Sequence, residues 1–264
     1  MQLPDWAPEG IDVEKPNAAR MYDYALGGSH NFAVDRALVE QAEAAMPGAS
    51  RIAHANRAFL GRAVRWLAAA GVRQFLDIGS GIPTLGNVHE VAQAATPGAR
   101  VLYVDIDPVA VAHSGSLLAK NPDAHVIQGD LRHADRIVQH PEARSTLDFS
   151  QPVAILLFAV LHFIGDDYQP AALVRRFHDE VAPGSYLAIS HGTPPPDRGE
   201  DAETVRRLYQ RTATPLHLRT HQQIVDLIGP FELVEPGLVP VSDWHPDRAT
   251  EPQTELLGGV ARKP

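Results

Sequence analysis

Three observations in the sequence predict an α/β fold built on a parallel sheet. Short apolar runs alternate with helical patterns over most of the chain. The first run, 74–78, breaks into a turn with two glycines, Gly79 and Gly81, and a helical pattern follows. The second run, 101–105, ends in a carboxylate, Asp105. Alternation of this kind implies parallel strands with right-handed crossovers, because a helix usually connects strands that run in the same direction.

The predicted elements divide the chain into two parts, a helical N-terminal extension or lid, 1–72, and a sheet domain, 73–264. The extension has no strand pattern and contains helical candidates at 17–26, 34–46 and 50–70. In the sheet domain we expect strands at 74–78, 101–106, 124–128, 153–161, 185–190, 231–234, 238–241 and 256–261. Helices are expected at 87–95, 108–120, 135–144, 166–181, 202–212 and 220–228. The closing strands predict an antiparallel hairpin at the edge of the sheet.

The composition of the 264 residues excludes several classes of function. There is no cysteine, which excludes disulfides, thiolate metal sites and a cysteine nucleophile. The formal charge of -9 argues against binding to nucleic acid. The longest apolar run, 153–161, is far shorter than the roughly 20 residues of a membrane helix. Region 1–16 is acidic without an apolar core, so we expect a cytoplasmic protein with no secretory signal and no membrane contact.

The glycine turn indicates a nucleoside cofactor that is not a dinucleotide. A dinucleotide fingerprint has three glycines spaced G-x-G-x-x-G, whereas here Gly86 comes two positions late. Pro83 also removes an amide that a pyrophosphate would use. Asp77, just before the turn, would repel a pyrophosphate but suits an ammonium group. The pattern therefore favours S-adenosylmethionine over NAD, and the alternative is a βα turn that binds nothing.

Four motifs resemble the successive motifs of class I S-adenosylmethionine-dependent methyltransferases: Asp-Ile-Gly-Ser-Gly at 77–81, Val-Asp-Ile-Asp-Pro at 104–108, Gly-Asp-Leu at 129–131 and Val-Leu-His-Phe at 160–163. Further segments are similar to an actinobacterial methyltransferase family long described only as a domain of unknown function; they include 19–28, 55–60, 87–93 and 258–263. The resemblance spans nearly the whole chain. It implies a Rossmann-like sheet of seven strands with the last antiparallel, and S-adenosylmethionine as cofactor.

The resemblance also implies which residues contact the cofactor. The two glycines would let its amino-acid part and ribose lie against the backbone, and Asp105 would accept both ribose hydroxyls. Asp130 and Leu131 would flank the adenine. The predicted cofactor-binding residues are Asp77, Gly79, Gly81, Asp105, Ile106, Asp130, Leu131 and Phe158. Asp107 is expected to cap the following helix instead.

The residues after the fourth strand bear on the methyl acceptor. Nucleobase amino-methyltransferases of this superfamily carry an Asn/Asp-Pro-Pro-aromatic turn there, and this chain has Phe-Ala-Val-Leu-His at 158–162. Phe158 and Ala159 cannot hold the magnesium of catechol-type enzymes, and no histidine pair has metal-site spacing. We therefore predict a small-molecule acceptor, methylated on oxygen or nitrogen and belonging to secondary metabolism, with no metal. The oligomeric state is not predicted.

His162 is the candidate catalytic base, because an imidazole near neutral pKa can take a proton as the methyl group arrives. Many small-molecule O-methyltransferases carry a Leu-His pair at this place, which this chain resembles. They usually continue Asp-Trp, where this chain has Phe163 and Ile164. The alternative is a histidine that caps the following turn or packs beneath the cofactor.

The N-terminal segment is predicted to select the substrate, because it mixes aromatic residues, glycines and polar groups in a helix-loop-helix. Its glycines would hinge a lid. The predicted lid or substrate residues are Tyr22, Gly28, Asn31, Phe32, Arg57 and His191. Alternatively, the tyrosines pack between helices and the glycines end the first helix.

Two other functions stay open. A regulator that binds S-adenosylmethionine without catalysis fits the same residues. A nicotinamide-dependent oxidoreductase fits less well, because the third glycine is displaced and there is no Tyr-x-x-x-Lys pair. Titration with the cofactors separates the oxidoreductase from the methyltransferase. Turnover to S-adenosylhomocysteine separates the regulator from the methyltransferase.

Overall fold

The computed structural model describes residues 4, 7–8, 11–83, 86–210, 212–248 and 254–264. The helices are α1 (Ala18–Ala25), α2 (Ala33–Ala45), α3 (Ala49–Ala69), α4 (Val88–Ala95), α5 (Pro108–Leu118), α6 (Ala134–Val138), α7 (Pro141–Thr146), α8 (Pro170–Glu180), α9 (Gly199–Tyr209) and α10 (His221–Ile228). The strands are β1 (Gln74–Ile78), β2 (Arg100–Asp105), β3 (Ala124–Gln128), β4 (Ala154–Phe158), β5 (Tyr186–Gly192), β6 (Glu232–Leu233), β7 (Val239–Pro240) and β8 (Leu256–Arg262). No helix in these ranges is long and apolar enough to cross a membrane.

The strands form one sheet in the order β3-β2-β1-β4-β5-β8, and β6 and β7 both pair with the outer edge of β8. Strands β1 to β5 are parallel to their neighbours, and β8 is antiparallel to β5. This topology confirms the predicted α/β sheet with an antiparallel last strand. The final strand itself lies inside the sheet, because the two short strands β6 and β7 cover its edge.

Helices cover both faces of the sheet, as fully buried parallel strands require. Helices α6, α8 and α10 pack on one face through a cluster that includes Val138, Phe177 and Leu227. Helices α3 and α4 pack on the other face through a cluster that includes Phe59 and Val88. Helix α3 therefore shares the core of the sheet. Helices α1 and α2 pack on each other and on α3, and α2 also packs on α9. The division at residue 72 stays a prediction.

Two helices begin at prolines and therefore differ from the predicted boundaries. The helix predicted over 135–144 is two helices, and the second begins at Pro141. The helix predicted over 166–181 begins instead at Pro170, after a short 3-10 turn. Proline lacks the amide that a helix interior needs, but it fits the first turn. Thr220 caps α10 by accepting from the amide of residue 223, as its position before the helix predicts.

The glycine pair in β8 lets α3 and the edge strands approach the sheet. A Cβ on Gly258 would lie 2.6 Å from Cε1 of Phe59, whose ring is fully buried. A Cβ on Gly259 would lie 3.1 Å from the carbonyl oxygen of Gly237. The closing Gly-Gly motif is therefore a packing requirement of the sheet.

We predict that Gly258→Ala lowers the free energy of unfolding by about 1–3 kcal/mol, because the added methyl overpacks the core against Phe59. Urea denaturation measures this change. Gly199→Ala is the matched control, since a Cβ at this first residue of α9 meets open space. An undiminished stability of Gly258→Ala would show that α3 does not pack on β8 as described.

Candidate active site

A cavity of about 880 Å³ lies at the C-terminal edge of the parallel strands. The turn after β1 and the ends of β2, β3 and β4 line one side of it. Residues of α1, α2, α3 and α9 and the segment 213–218 line the other sides. Open α/β sheets bind ligands at this edge, where the strand order reverses, which here is between β1 and β4. The topology thus favours this cavity as the ligand site.

The turn after β1 requires its two glycines. Both have left-handed backbone, with φ of 71° at Gly79 and 68° at Gly81, a region that other residues enter at a cost. A Cβ on Gly79 would also lie 2.5 Å from the side chain of Val160. The turn therefore presents bare backbone to the cavity.

Asp105, the last residue of β2, is held by backbone amides. Its carboxylate accepts from the N–H of Gly81 at 2.7 Å and from the N–H of Asp107 at 2.8 Å. Burial raises the pKa of Asp105 to about 6, although both amide bonds oppose the shift. Asp107 accepts from the N–H of Val109 at 2.7 Å and caps α5, as its sequence position predicts.

Asp77 is a buried carboxylate on β1 whose side chain has no hydrogen-bond partner among the described residues. Burial raises its pKa to about 7; the Arg57 guanidinium opposes this shift, and the Asp105 carboxylate adds to it. Arg57, a predicted substrate residue on α3, lines the same cavity and donates to Asn87 at 3.2 Å. Asp77 is therefore a desolvated acceptor that a cationic ligand would satisfy.

The third strand end and the end of β4 supply the remaining predicted cofactor residues. Asp130 is bound through both oxygens to the Arg132 guanidinium, at 2.6 to 2.9 Å. Leu131 is buried in the core, and Phe158 is a buried residue that lines the cavity. Ile106 is 45% exposed although it follows a buried strand. An exposed isoleucine at the rim is suited to an apolar ligand surface.

A chain of hydrogen bonds links the N-terminal helices to the residue after β4. Tyr22, a predicted substrate residue that lines the cavity, donates to the carbonyl of Ala53 at 3.0 Å. Asn56 donates to the Tyr22 oxygen at 3.1 Å and accepts from the Ser190 hydroxyl at 2.6 Å. That hydroxyl accepts from the N–H of Ala159 at 2.8 Å. Ala159 has a φ of 53°, and β4 ends at Phe158, just before this strained residue, although the strand was predicted to reach 161.

His162 lies in a 3-10 turn after β4 and lines the cavity. Its Nδ1 accepts from the N–H of Gly192 at 3.1 Å, so the ring proton is on Nε2. Burial lowers the pKa of His162 well below its usual value, and the neighbouring His191 and Arg219 add to this effect. The ring is therefore a neutral imidazole whose Nε2–H has no partner among the described residues.

Arg219, which the sequence analysis missed, is buried and joins this turn to β5. Its guanidinium donates to the carbonyls of Leu161 at 3.1 Å and Ile164 at 2.8 Å. It also pairs with Asp166 at 2.6 Å and donates to Nε2 of His191 at 3.0 Å. His191 was expected to follow the fifth strand and face the cleft. It lies instead within β5, fully buried, and does not line the cavity.

Three predicted lid residues build the N-terminal loop and do not line the cavity. Asn31 donates to the Asp23 carboxylate at 2.8 Å, and a side chain at Gly28 would collide with that carboxylate. The ring of Phe32 lies under the Arg20 guanidinium, 5.2 Å from it. These residues shape the segment between α1 and α2, which explains their types without ligand contact.

Two aromatic residues of the cavity wall were also missed. Tyr209 at the end of α9 stacks on Phe163, with ring centroids 6.1 Å apart. Both rings line the cavity, and burial raises the pKa of Tyr209 to about 12. No local pattern marks either residue, because their roles arise from a contact between distant segments. Within the described ranges, no group of three histidine or acidic residues could hold a metal ion.

Comparisons with known proteins agree with this geometry. Residues 4–264 match the family described as S-adenosyl methyltransferase. A candidate methyltransferase from Thermobifida fusca YX is 41% identical, with 98% of this chain and 99% of that chain covered and a TM-score of 0.93. A DUF574 family protein from Streptomyces avermitilis MA-4680 is 40% identical, with 96% and 99% covered and a TM-score of 0.91. No curated protein matches the chain.

A more distant structure shares the fold. Human N-acetylserotonin methyltransferase, solved in complex with S-adenosylmethionine, is 17% identical, with 95% of this chain and 63% of that chain covered and a TM-score of 0.52. The family match covers nearly the whole sequence, and the described site has the carboxylates and the glycine turn at the expected strand ends. The chain therefore belongs to the S-adenosyl methyltransferase family and is a methyltransferase with S-adenosylmethionine as its cofactor.

Proposed function

We propose that this enzyme methylates an oxygen or nitrogen atom of a small molecule bound in the cavity at the strand ends. The observation that carries the proposal is the cover over that cavity, which α1, α2 and α9 supply. A polymeric substrate needs an open groove, whereas walls on several sides suit a compact ligand. The formal charge of -9 also disfavours a nucleic-acid acceptor. Secondary metabolism remains the predicted setting.

The residues at the strand ends fit the cofactor. We assign Asp77 to its ammonium group, because this buried carboxylate has no other hydrogen-bond partner among the described residues. We assign Asp105 to the ribose hydroxyls, since its two amide bonds fix the carboxylate and leave further lone pairs free. Ile106 offers an apolar surface to the adenine, beside Asp130 and Leu131. When bound, S-adenosylmethionine supplies an electrophilic methyl carbon on a positively charged sulfur.

The protein contributes alignment and hydrogen bonding, because transfer from a sulfonium needs little else. The sequence suggested His162 as a base. A base needs a free lone pair, and in this structure the Nδ1 lone pair of His162 accepts from Gly192. We therefore assign the Nε2–H of His162 to hold the acceptor atom. An acceptor oxygen can receive this hydrogen bond and still attack with its second lone pair.

The alternative function is a regulator that binds the cofactor without turnover. The test is incubation of the enzyme with methyl-labelled S-adenosylmethionine and a small-molecule extract. Labelled small molecules, formed together with S-adenosylhomocysteine, support the proposal. Cofactor binding without any labelled product from extract, protein or RNA would favour the regulator.

We predict that Asp105→Asn weakens S-adenosylhomocysteine binding by about tenfold to a hundredfold, because it removes a charged acceptor for the ribose hydroxyls. Isothermal titration calorimetry measures the affinity. Asp135→Asn is the matched control, since Asp135 is an exposed partner of Arg176. Equal affinities of Asp105→Asn and the wild type for S-adenosylhomocysteine would contradict the assignment of Asp105 to the cofactor site.

We predict that S-adenosylmethionine affinity falls by about tenfold as the pH is lowered from about 8 to about 6. The pKa of Asp77 is raised to about 7, so below that value the ammonium must displace a proton from the carboxyl. Calorimetry at several pH values measures the change. Asp77→Asn should bind weakly and show little pH dependence, and a wild-type affinity that is flat between these values contradicts the assignment.

The stability of ligand-free Asp77→Asn is the control for misfolding. Burial raises the folded-state pKa of Asp77 from 3.8 to about 7, so the folded protein binds this proton more tightly than the unfolded chain does. The contribution of Asp77 to stability therefore falls as the pH rises through this window. The asparagine variant should melt at a higher temperature than the wild type at pH about 8.

We predict that His162→Gln retains turnover within about tenfold of the wild type, because glutamine also supplies an N–H donor. Removal of a general base would instead cost about 10² to 10⁴ in rate. Steady-state kinetics from pH about 6 to 9 measure this difference, and His162→Leu, which has no donor, should lose more activity. A loss of 10² or more in the turnover rate of His162→Gln, with cofactor affinity intact, would show that His162 acts as a base.

A further inference from the structure

One part of the cavity has apolar walls supplied by α2, α3 and α9. Its wall residues are Ala42, Met46, Ala49, Ile52, Ala202 and Val205, and all six line the cavity. All of them except Ala202 also belong to a hydrophobic cluster in which α2 packs on α9. We call this part of the cavity the acceptor chamber. None of its wall residues carries a charge or a hydrogen-bonding side chain.

Charged residues line the cavity outside this set of six, and they include Asp12, Lys15, Arg20, Asp107, Asp130, Arg132 and Asp167. Asp77 and Asp105 are at the strand ends, and Arg57 is beside Asp77. Glu255 lines the cavity but its carboxylate is 3.7 Å from the Arg198 guanidinium. The six wall residues offer no partner to an ionised group, so the part of a ligand that packs against them is best uncharged.

An aromatic pair adjoins the chamber. The rings of Phe163 and Tyr209 are nearly parallel, with an interplanar angle of 19°. His162 precedes Phe163 in the chain and its ring is 4.4 Å from the phenylalanine ring. Tyr209 and His162 thus both adjoin the Phe163 ring. Neither the tyrosine hydroxyl nor Nε2 of the histidine has a hydrogen-bond partner among the described residues. Two polar donors and flat apolar rings are therefore available to one ligand.

The full cavity has room for a ligand beside the cofactor. Its volume of about 880 Å³ is near the upper end of the roughly 300–1,000 Å³ typical of small-molecule pockets. The strand ends and the acceptor chamber are lined by different residues of the same continuous space. This arrangement places two reactants in one cavity.

We propose that the methyl acceptor is an uncharged aromatic compound with a hydroxyl group, a phenol or a naphthol, whose ring lies in the acceptor chamber and whose oxygen binds Tyr209 and His162. This inference rests on the proposed function and specifies its substrate class. It favours oxygen over nitrogen, because a neutral amine has only the one lone pair with which it attacks. A phenolate oxygen has three lone pairs, so it keeps one for attack after it accepts hydrogen bonds from both donors.

The two donors also activate the acceptor. Tyr209 stays protonated because burial raises its pKa to about 12, and His162 is neutral. Burial alone would raise the pKa of a bound phenol, as it does for Tyr209. Hydrogen bonds from the two neutral donors stabilise the phenolate and, in this proposal, outweigh that rise. The phenolic proton goes to water. An oxygen–carbon bond then forms as the sulfur–carbon bond of the cofactor breaks, and its electron pair leaves with the neutral thioether sulfur.

The test uses 2-naphthol as the probe, because its absorption and fluorescence report its ionisation. Titration into the enzyme saturated with S-adenosylhomocysteine should show binding at least tenfold tighter than that of 6-hydroxy-2-naphthoate, which adds a charge. Bound 2-naphthol should ionise at a pH at least one unit below that of the free compound. In Tyr209→Phe, the pH at which bound 2-naphthol ionises should move at least halfway back to that of free naphthol. A purely structural role of Tyr209 would not produce this change.

Two tryptophan variants test the location. Val205→Trp fills the chamber and should weaken 2-naphthol binding at least tenfold while S-adenosylhomocysteine affinity stays within twofold. Thr204→Trp is the matched control, because Thr204 is the exposed neighbour on the same helix and does not line the cavity. This control should keep the affinity for both ligands.

Three results would overturn the inference. They are stronger binding of the charged naphthoate, ionisation of bound naphthol at or above the pH of the free compound, and unchanged naphthol affinity in Val205→Trp. Failure of the proposed function looks different. In that case no small molecule in the extract assay becomes labelled, whatever the binding of 2-naphthol.

Discussion

The desolvation of two carboxylates at the ends of adjacent strands is the constraint on which the active site depends. Burial is the largest cause of the raised pKa values of Asp77 and Asp105. The amides of Gly81 and Asp107 stabilise one carboxylate, and Arg57 stabilises the other. The left-handed turn at Gly81 is needed for its amide to reach Asp105, so the glycine motif and the carboxylates depend on each other. The remaining desolvation cost makes both groups ready acceptors for a ligand.

The cover of the cavity is tied to its floor by hydrogen bonds. The chain from Tyr22 through Asn56 and Ser190 to Ala159 joins α1 and α3 to the residue after β4. Arg219 fixes the following turn from the other side. The loop that carries His162 is therefore held from two directions, which matches the need to place an acceptor atom accurately for methyl transfer. Helices α1 and α3 are in this sense part of the active site.

The sequence was sufficient for the sheet and for the site features that local patterns encode. Alternating apolar runs predict strands, and a carboxylate that ends a run, such as Asp105, must lie at the ligand-binding edge. Arg219 and Tyr209 could not be found in this way, because their partners are distant in sequence and no periodicity marks them. At Gly28 and Asn31 the distinctive residue types serve the Asp23 carboxylate in a local loop, a role that local patterns do not distinguish from ligand contact.

His162 shows why residue type and position do not determine a catalytic role. A histidine after the fourth strand suggests a base, but its chemistry depends on which nitrogen holds the proton. Gly192 donates to Nδ1, and burial beside His191 and Arg219 disfavours the imidazolium. Both effects produce a neutral ring that donates from Nε2. Since Tyr209 is likewise a neutral donor, the proposed acceptor oxygen would meet two neutral donors, which stabilise negative charge. Activation of the acceptor then depends on hydrogen bonding more than on proton removal by the protein.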